Sequence, residues 1–382
     1  MNNNSHVKFM RFFTKRLVLA IHLVVAALFL LSCLVPMISP VRFWPMELLG
    51  LLFPLLLVLI LAFAIFWLLL DARYSLISVA LLLAGWKLIL VLFAFHFSGG
   101  NPLRKDPKSI TILSYNVHYF RPFDDKPDKD NLVRTAMLKL IADQHPDIAC
   151  FQEFSTSNIR GKQGFDSLIS DRLGLPYRFF SSDYNSPHYH SGVILFSRFP
   201  ILNTGKISLM GSLPSESLIY ADLLDGTDTF RVVTMHLQSI YLNHHDLEDI
   251  DQLKSRGDSA LEVSRTVISK IKRASIRRGL QAVRVAAEVG RSPYPVIVCG
   301  DFNDTPDSYT YFRIRGKLQD AFLEKGWGIG RTYMGISPTL RIDFILPDRH
   351  FRVNSFKRIP RNLSDHYPII CNLSRRELGR SG

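Results

Sequence analysis

Cysteine is scarce in this sequence, with four residues among 382. Cys33 lies in a long apolar run, and the others lie in short apolar segments that have the pattern of core strands: Cys150, Cys299 and Cys371. An unpaired thiol in such a segment behaves as a small hydrophobic residue. The sequence therefore implies no disulfide framework, and it lacks the cysteine cluster of a structural zinc site.

Charged residues are almost absent from three apolar runs near the N-terminus. These runs cover about residues 17–36, 48–70 and 76–97, and Lys87 is their only formal charge. Each run has about the 20 residues that a helix needs to cross a bilayer. A cleaved signal peptide would have a shorter apolar part and would not be followed by two more runs. We therefore predict that residues 1–98 form a membrane anchor of three transmembrane helices, which makes the chain a multi-pass membrane protein.

Basic residues give the expected orientation of this anchor. Four of them precede the first run: Lys8, Arg11, Lys15 and Arg16. By the positive-inside rule they place the N-terminus in the cytoplasm, and three spans then place the C-terminal domain outside it. Arg73 agrees with this orientation. Arg42 and a cluster after the third run argue against it: Arg104, Lys105 and Lys108.

The net charge of the whole chain is +13, of which the residues after 98 carry +8. A basic domain suits a polyanion or a phosphate-rich surface as its partner. The same charge can equally serve to keep the domain soluble.

The rest of the chain is organised as one large domain. Residues 99–109 are a linker rich in glycine, proline and polar residues, and residues 375–382 are a tail. Between them, residues 110–374 alternate short apolar strands with helical segments, and strands outnumber helices. We predict an α/β fold, a four-layer α/β sandwich in which two mixed β-sheets are flanked by helices. Residues 240–291 are a long basic stretch of helical pattern, expected to turn three apolar residues inward: Leu280, Val283 and Ala287.

Most of the predicted strands end in a polar residue. Residues 296–301 are an apolar run that ends at Asp301, and Asn303 lies on the same side because strand side chains alternate. The other strand ends carry Asn116, Glu153, His236, Asp343, and Asp365 with His366. If these ends converge, they form one polar cleft. Its carboxylate and amide oxygens suit Mg²⁺ or Mn²⁺, and its imidazoles suit hydrogen bonding or proton transfer.

Seven short motifs in this domain occur in the order found in a known superfamily. They are Ser114-Tyr-Asn116, Gln152-Glu153, Ser191-Gly192 with Ser197-Arg198-Phe-Pro200, Thr234-Met-His236, Gly300-Asp301-Phe-Asn303, Arg341-Ile-Asp343 and Ser364-Asp365-His366. Together they resemble the motifs of the endonuclease/exonuclease/phosphatase superfamily. This superfamily includes type I DNase-like and abasic-site endonucleases, neutral sphingomyelinases and inositol-polyphosphate phosphatases. Each motif alone is weak, but the ordered set spans the whole domain.

The resemblance implies a role for each position of the cleft. Glu153 is then the principal metal ligand, with Asn116 beside it and Asp365 as a further ligand. Asp301 orients or deprotonates the attacking water, and Asn303 and His236 hold the phosphate. Asp343 orients the imidazole of His366, which faces the scissile phosphate.

Four further positions are candidates for substrate binding. Tyr189 and His190 stand where family members often place a substrate-contacting Tyr or His. Arg198 ends a strand and also suits a structural ion pair. Gln238 suits either a phosphate contact or a strand cap.

The substrate is left open by the sequence. An aromatic wedge for abasic-site recognition and the signature stretches of inositol 5-phosphatases are both absent. The basic stretch 240–291 suits anionic lipid or a nucleic-acid backbone, and a shared fold does not choose between them. We therefore predict a membrane-anchored, divalent-metal-dependent phosphoesterase that cleaves a phosphodiester of nucleic acid or of a phospholipid head group by water attack. The alternative is a catalytically silent membrane scaffold or partner-binding protein on the same fold, and the oligomeric state is open.

Overall fold

The computed structural model describes residues 3–96, 108–121, 130–157, 164–209, 217–240, 260–335 and 337–376. The chain divides into two compact units. The first contains Met1–Leu92 with Asp307–Tyr309, and the second contains Phe93–Pro306 and Thr310–Gly382.

The first unit is built from apolar helices. They are α1 (Asn3–Ser32), a 3₁₀ turn (Val35–Met37), α2 (Pro40–Phe43), α3 (Pro45–Leu70), α4 (Ala72–Ala84) and α5 (Trp86–Leu92). Phe13–Met37 and Pro45–Leu70 are long and apolar enough to cross a membrane. These helices match the first two predicted spans and indicate a membrane anchor.

The third predicted span differs from the expected single helix over residues 76–97. Helices α4 and α5 meet at a bend of 66°, and α5 ends at Leu92. Gly85 lies at the bend, where an added Cβ would stand 2.7 Å from Cζ of Phe29. After α5 the chain forms a two-residue strand, β1 (Ala94–Phe95). The structure thus contains two candidate spans, or three if the bent pair counts as one.

A buried polar cluster joins three helices of this unit. Nε1 of Trp67 donates to Nδ1 of His22 at 3.1 Å, and Nε2 of His22 lies 3.1 Å from Oγ of Ser78. Because Nδ1 accepts a hydrogen bond, the neutral ring carries its proton on Nε2 and donates it to Ser78. All three side chains are buried, so the cluster fixes how α1, α3 and α4 pack.

The second unit contains two mixed β-sheets. Sheet 1 has the strand order β13 (Phe351–Arg358), β14 (Ile369–Arg375), β2 (Ile110–Asn116), β3 (Ile148–Ser157), β6 (Tyr189–Ser197) and β4 (Tyr177–Phe180), and β5 (Tyr184–Asn185) also pairs with β6. Sheet 2 has the order β12 (Asp343–Pro347), β10 (Val296–Asp301), β9 (Asp228–His236), β8 (Ser217–Asp225) and β7 (Ile201–Ser208). Strands β2 and β3 are parallel, as are β9 and β10. Strand β1 pairs with β11 (Trp327–Gly328).

Helices accompany these sheets. They are α6 (Asp130–Ala142), α7 (Phe165–Leu173), α8 (Ala260–Gly290), α9 (Tyr309–Arg315) and α10 (Ala321–Lys325). One buried cluster contains residues of both sheets, among them Ile112, Val232 and Ile297. A second cluster packs α6 and α7 against the other face of sheet 1 through residues such as Ile141 and Ile169. The predicted α/β sandwich of two mixed sheets flanked by helices is confirmed.

Two expectations about individual residues have different outcomes. Cys150, Cys299 and Cys371 are buried free thiols, as expected. The expected inward face of α8 is wrong, because Leu280 is 45% exposed and Val283 is 40% exposed. The buried face instead carries polar side chains, Arg278 and Gln281, beside small apolar ones. The face was misassigned because the helix buries polar side chains, and the spacing of apolar residues in the sequence does not reveal them.

Candidate active site

The register of sheet 2 places three of the predicted residues side by side. Asp301, at the end of β10, is opposite Asp343 of β12 and opposite His236 of β9. Gly300, one residue earlier, has a φ of 136°, and an added Cβ would stand 2.2 Å from the carbonyl oxygen of Met235. Only glycine permits this close approach of two strands. The glycine of the Gly300-Asp301 motif therefore helps to set the position of Asp301.

Sheet 1 contributes Asn116 and Glu153 from two parallel strands. Asn116 ends β2 opposite Gln152 of β3, and the register of β3 against β6 shifts between Phe151 and Phe154. Glu153 lies in this irregularity with a φ of 49°. A positive φ is uncommon outside glycine, and here it accompanies a change in side-chain direction within an otherwise regular strand.

Asn116 connects the two sheets. Its Nδ2 donates to Oε1 of Glu153 at 3.2 Å and to Oδ2 of Asp301 at 3.1 Å. Its carbonyl oxygen accepts from Oγ of Ser364 at 2.9 Å, which also donates to Oδ1 of Asp365 at 3.0 Å. The carboxylates that the sequence left on separate strands therefore belong to one hydrogen-bonded cluster.

A second connection joins Asp343 of sheet 2 to His366, which lies in the loop before β14. Nδ1 of His366 lies 2.9 Å from Oδ2 of Asp343, and its Nε2 lies 3.6 Å from Oδ2 of Asp301. Burial alone would lower the pKa of His366, but the charges of Asp343, Asp301 and Asp365 and the hydrogen bond that His366 donates to Asp343 raise it well above its ordinary value. The imidazole is thus held in a fixed orientation and in its protonated form.

Asp301 has a basicity suited to proton transfer near neutral pH. Burial and the charge of Asp343 raise its pKa to about 6, against the opposing effect of His366 and His236. Nε2 of His236 lies 3.4 Å from Oδ2 of Asp301. The backbone N–H of Asn303 donates to Oδ1 of Asp301 at 2.8 Å, and its side-chain Nδ2 donates to the carbonyl of Leu237 at 3.0 Å.

Two site residues were missed in the sequence, His118 and Tyr333. Nδ1 of His118 lies 3.5 Å from Oε2 of Glu153 and 4.0 Å from Oδ1 of Asp365. The ring of Tyr333 packs edge-on against that of His366, with 5.1 Å between centroids. Burial and nearby carboxylates raise the pKa of Tyr333 to about 12, so its hydroxyl remains a donor. The one signal in the sequence that could have indicated His118 is its position two residues after Asn116.

The four predicted substrate-binding residues have different positions. Tyr189 and His190 lie opposite Ser157 and Thr156, at the carboxyl end of β3, which is the end that carries Glu153. The side-chain amide of Gln238 is already bonded, because it accepts from Nη1 of Arg277 at 3.2 Å and donates to the carbonyl of Ser239.

Arg198 is separated from the other candidates. Its Nε lies 3.2 Å from Oδ1 of Asp147, and the preceding residue, Ser197, is opposite Ile148 at the amino end of β3. Strand β6 runs antiparallel to β3, so its last residues lie at the opposite edge of the sheet from Glu153. The structure places Arg198 in a structural ion pair and not in the cleft.

The carboxylates present a donor set that fits a divalent cation. Side chains of Glu153 and Asp365 are 19% and 18% exposed, whereas that of Asp301 is fully buried. Burial would raise the pKa of Glu153, but the hydrogen bond from His118 and the charges of His236 and His118 lower it to about 2. It is therefore ionised and open to the cleft. Oxygen ligands of this kind favour Mg²⁺ or Mn²⁺.

A second group of ligand atoms lies deeper. Asp301, Asp343 and His366 can each offer one atom within 4.8 Å of the others. Oδ1 of Asp343 is buried and accepts no hydrogen bond from the described residues. This group is closed to solvent, and its imidazole is already engaged by Asp343. The more accessible carboxylates, Glu153 and Asp365, are the better fit for a cation that exchanges with solvent.

Comparison with known proteins defines the class of this domain. Residues 113–366 match the Endonuclease/Exonuclease/phosphatase family. Since this match covers more than half of the chain, the protein belongs to that family, whose members are metal-dependent phosphoesterases or nucleases. Residues 15–92 match a second family, described as a domain of unknown function. No curated protein matches the chain.

Several solved structures are similar to part of this chain. An endonuclease/exonuclease/phosphatase from Beutenbergia cavernae is 18% identical over 70% of this chain and 72% of its own, with a TM-score of 0.49. A family protein from Leptotrichia buccalis is 14% identical over 69% of this chain and 99% of its own, with a TM-score of 0.49. The human Nocturnin catalytic domain, solved with a bound sulfate anion, is 18% identical over 70% of this chain and 95% of its own, with a TM-score of 0.47.

Proposed function

We propose that this protein is a membrane-anchored phosphoesterase that hydrolyses a phosphodiester with the help of a divalent metal ion. The observation that carries the proposal is the cluster in which Asn116, at the end of a sheet 1 strand, and His366, in the loop before β14, bond to Asp301 and Asp343 of sheet 2 respectively. This cluster supports the proposal because Asp301, His366 and the accessible carboxylate of Glu153 would then serve as base, oriented imidazolium and metal ligand. Family membership supports the reaction class, and the apolar N-terminal helices support the anchor.

Each protein group has a defined task in this proposal. The carboxylate of Asp301 accepts a proton from the attacking water, and its pKa of about 6 suits this at neutral pH. The water oxygen forms a bond to phosphorus, and the bond from phosphorus to the leaving oxygen breaks. Protonated His366, held by Asp343, donates a hydrogen bond to the phosphate as its charge increases. The leaving alkoxide takes a proton from solvent, which balances the one that Asp301 accepted.

A metal ion would be held by the carboxylates of Glu153 and Asp365 with Asn116 beside them, whose amide oxygen also accepts from the backbone N–H of His118. When bound there, it supplies Lewis-acid stabilisation of the phosphate's negative charge. Asn303 and His236 hold phosphate oxygens in this proposal, and Tyr189 and His190 are the remaining candidates for contacts to the rest of the substrate.

The substrate is a phosphodiester of nucleic acid or of a phospholipid head group, and the catalytic domain lies outside the cytoplasm. The second candidate function is a catalytically silent membrane scaffold. The ionised Glu153 and the basic Asp301 disfavour it, because a scaffold has no need for carboxylates with such different pKa values in one cleft.

The proposal is tested on the full-length protein in detergent or nanodiscs. Plasmid DNA, RNA and phospholipid vesicles are supplied in parallel, with Mg²⁺ or with EDTA. Asp301→Asn should lower the rate by about 10²–10⁴-fold, the range typical of a lost general base. Asp348→Asn, at the far end of β12, makes the same chemical change outside the cleft and should leave the rate unaltered.

Each result has a distinct meaning. Metal-dependent cleavage of one substrate that is lost in Asp301→Asn supports the proposal and identifies the substrate class. Wild-type rates in Asp301→Asn, or full activity in EDTA, would contradict the mechanism. Inactivity on all three substrates would favour the scaffold.

A further inference from the structure

The outward face of α8 carries an apolar stripe. Ile276, Leu280, Val283 and Ala287 are spaced by four, three and four residues, so they align on one side of the helix. Leu280 and Val283 are 45% and 40% exposed, and Ala287 is also exposed. Single exposed hydrophobic residues are common on proteins, but an aligned row opposite the buried side of the same helix is not explained by packing within this unit.

Basic residues border this stripe. Helical geometry places Lys272 along one side of it, and Arg273 and Arg291 along the other. All three are exposed. Arg284 lies on the same side as Arg273, and its guanidinium donates to the carbonyls of Ser208 and Leu209 while remaining exposed.

Acidic residues are nearly absent from the same helix. Between residues 264 and 291 the one carboxylate is Glu288, which lies 3.6 Å from the buried Arg231 and 4.0 Å from Arg291. The outer face of α8 therefore combines exposed apolar side chains with exposed basic ones, on a stretch, residues 264–291, in which basic residues greatly outnumber acidic ones.

We propose that this outer face of α8 lies on an anionic membrane surface. Helices that bind in the interface plane insert an apolar face at the head-group level and use flanking Lys and Arg side chains to contact anionic lipids. The stripe and its basic borders match both requirements. The chain's own apolar helices supply the reason for a bilayer to be near.

Two other occupants fit less well. A nucleic-acid backbone is bound mainly through charged and polar contacts to its phosphates, which leaves the row of Ile, Leu and Val side chains without a partner. A second copy of this chain, packed helix against helix, would bring two rows of basic residues together, and like charges at close range oppose this.

The inner face of α8 connects this surface to the cleft. Nε of the buried Arg278 lies 3.2 Å from Oδ2 of Asp304, and its Nη1 donates to the carbonyl of Gln238 at 3.2 Å. Oε1 of Gln281 accepts from the backbone N–H of Gln238 at 2.9 Å. The loop that follows His236 and the loop that contains Asn303 are thus fixed to the helix that would rest on lipid. Taken together with the proposed function, on which this step depends, the contact favours a phospholipid head group as substrate.

The test measures how deeply the outer face enters the bilayer. Full-length protein with Cys33→Ala is spin-labelled at Leu280→Cys, or at Thr227→Cys in the exposed turn between β8 and β9 as the control. Each is reconstituted into vesicles of neutral phosphatidylcholine alone or with anionic phosphatidylserine. Both leaflets have the same composition, so orientation does not matter. The accessibility of the label to oxygen and to a water-soluble nickel complex is then compared.

The expected result is specific to lipid charge. The label at residue 280 should gain severalfold in its ratio of oxygen to nickel accessibility in anionic vesicles, and the label at residue 227 should not. Lys272→Glu with Arg273→Glu should weaken the effect. Arg349→Glu with Arg352→Glu, an equal charge change at exposed positions elsewhere, should preserve it.

Other outcomes overturn the proposal. A residue 280 label that stays as exposed to water as the residue 227 label in every vesicle excludes lipid contact. Protection by added DNA or RNA in place of lipid would assign the face to nucleic acid, and spin–spin broadening would assign it to self-association. Because this experiment measures no activity, the absence of lipid contact would not contradict the proposed chemistry. Equally, lipid contact by a protein that proves inactive would still support the proposed role of this surface.

Discussion

Removal of Asp320 should destabilise the catalytic domain far more than removal of a similar exposed partner. Nη1 of Arg341 lies 2.7 Å from Oδ2 of Asp320, and both side chains are 1% exposed. The hydroxyl of Tyr311 donates to the same oxygen at 2.7 Å. In Asp320→Asn the guanidinium remains in a site with no access to water while its counter-ion is gone. Breaking a buried pair in this way costs about 3–5 kcal/mol.

An exposed pair of the same type provides the matched control. Nε of Arg178 lies 2.8 Å from Oδ2 of Asp166, but the two side chains are 36% and 21% exposed. Asp166→Asn should cost about 0–1 kcal/mol, because water replaces the lost partner. The distances are nearly equal, so the comparison isolates burial.

Pulse proteolysis of the full-length protein across a urea gradient, in a mild detergent, measures both changes. The double variant Asp320→Asn with Arg341→Met adds a second criterion, since a buried pair replaced by apolar groups is often tolerated. Phe322 and Phe344 already pack against the guanidinium at 4.5 and 4.9 Å and can pack against Met. Equal losses in Asp320→Asn and Asp166→Asn, or no recovery in the double variant, would refute the reasoning.

Three further predictions concern the cleft itself. Gly300→Ala should lower stability by several kcal/mol in the same assay, because its Cβ would meet the carbonyl of Met235 at 2.2 Å. Gly174→Ala, whose Cβ would have nothing within 4 Å, should cost about 1 kcal/mol. Equal losses in the two variants would contradict this prediction. Glu153→Gln should raise the Mg²⁺ concentration for half-maximal activity by at least about tenfold, since even outer-sphere changes cost that much, and an unchanged metal requirement would place the ion elsewhere. Burial alone would lower the pKa of His366, but the nearby carboxylates raise it. In EDTA, the contribution of protonated His366 to the stability of the fold should therefore be complete below about pH 6.5 and be lost as pH rises through the pKa of the folded state. His366→Gln should remove that part of the pH dependence, and an unaltered stability curve would show that the folded pKa is not raised.

The elements that carry the candidate site were predictable because strands have simple rules. Asp301, His236 and Asp343 each end or begin an apolar strand, and pairing of neighbouring strands then brings them together. The two-sheet sandwich followed from the same count of strands and helices. The local sequence was therefore sufficient to predict site residues that lie at the ends of single strands.

The missed features depend on tertiary structure. His118, which was missed, has a φ of 43°, a value that a non-glycine residue adopts only when its surroundings hold it there. Glu153 and Asn303 were predicted as site residues, but their φ values of 49° and 51° were not predictable for the same reason. Strand direction explains Arg198, since a sequence does not state which edge of a sheet a strand end will reach. Leu280 and Val283 were assigned inward because burial is the usual fate of aligned apolar residues.

The structure of the cleft also makes catalysis sensitive to the spacing between sheet 1 and sheet 2. Asn116 ends a strand of sheet 1 and His366 lies in the loop that leads into β14 of that sheet, whereas their partners Asp301 and Asp343 lie in sheet 2. The distances between the reacting groups therefore depend on how far apart the two sheets are held. Side chains such as Ile112 and Ile297 fill the space between those layers. Loss or gain of a methyl group there would move the two halves of the cleft relative to each other. Residues that never touch a substrate would then tune the reaction, and turnover would report on packing well before the fold itself gives way.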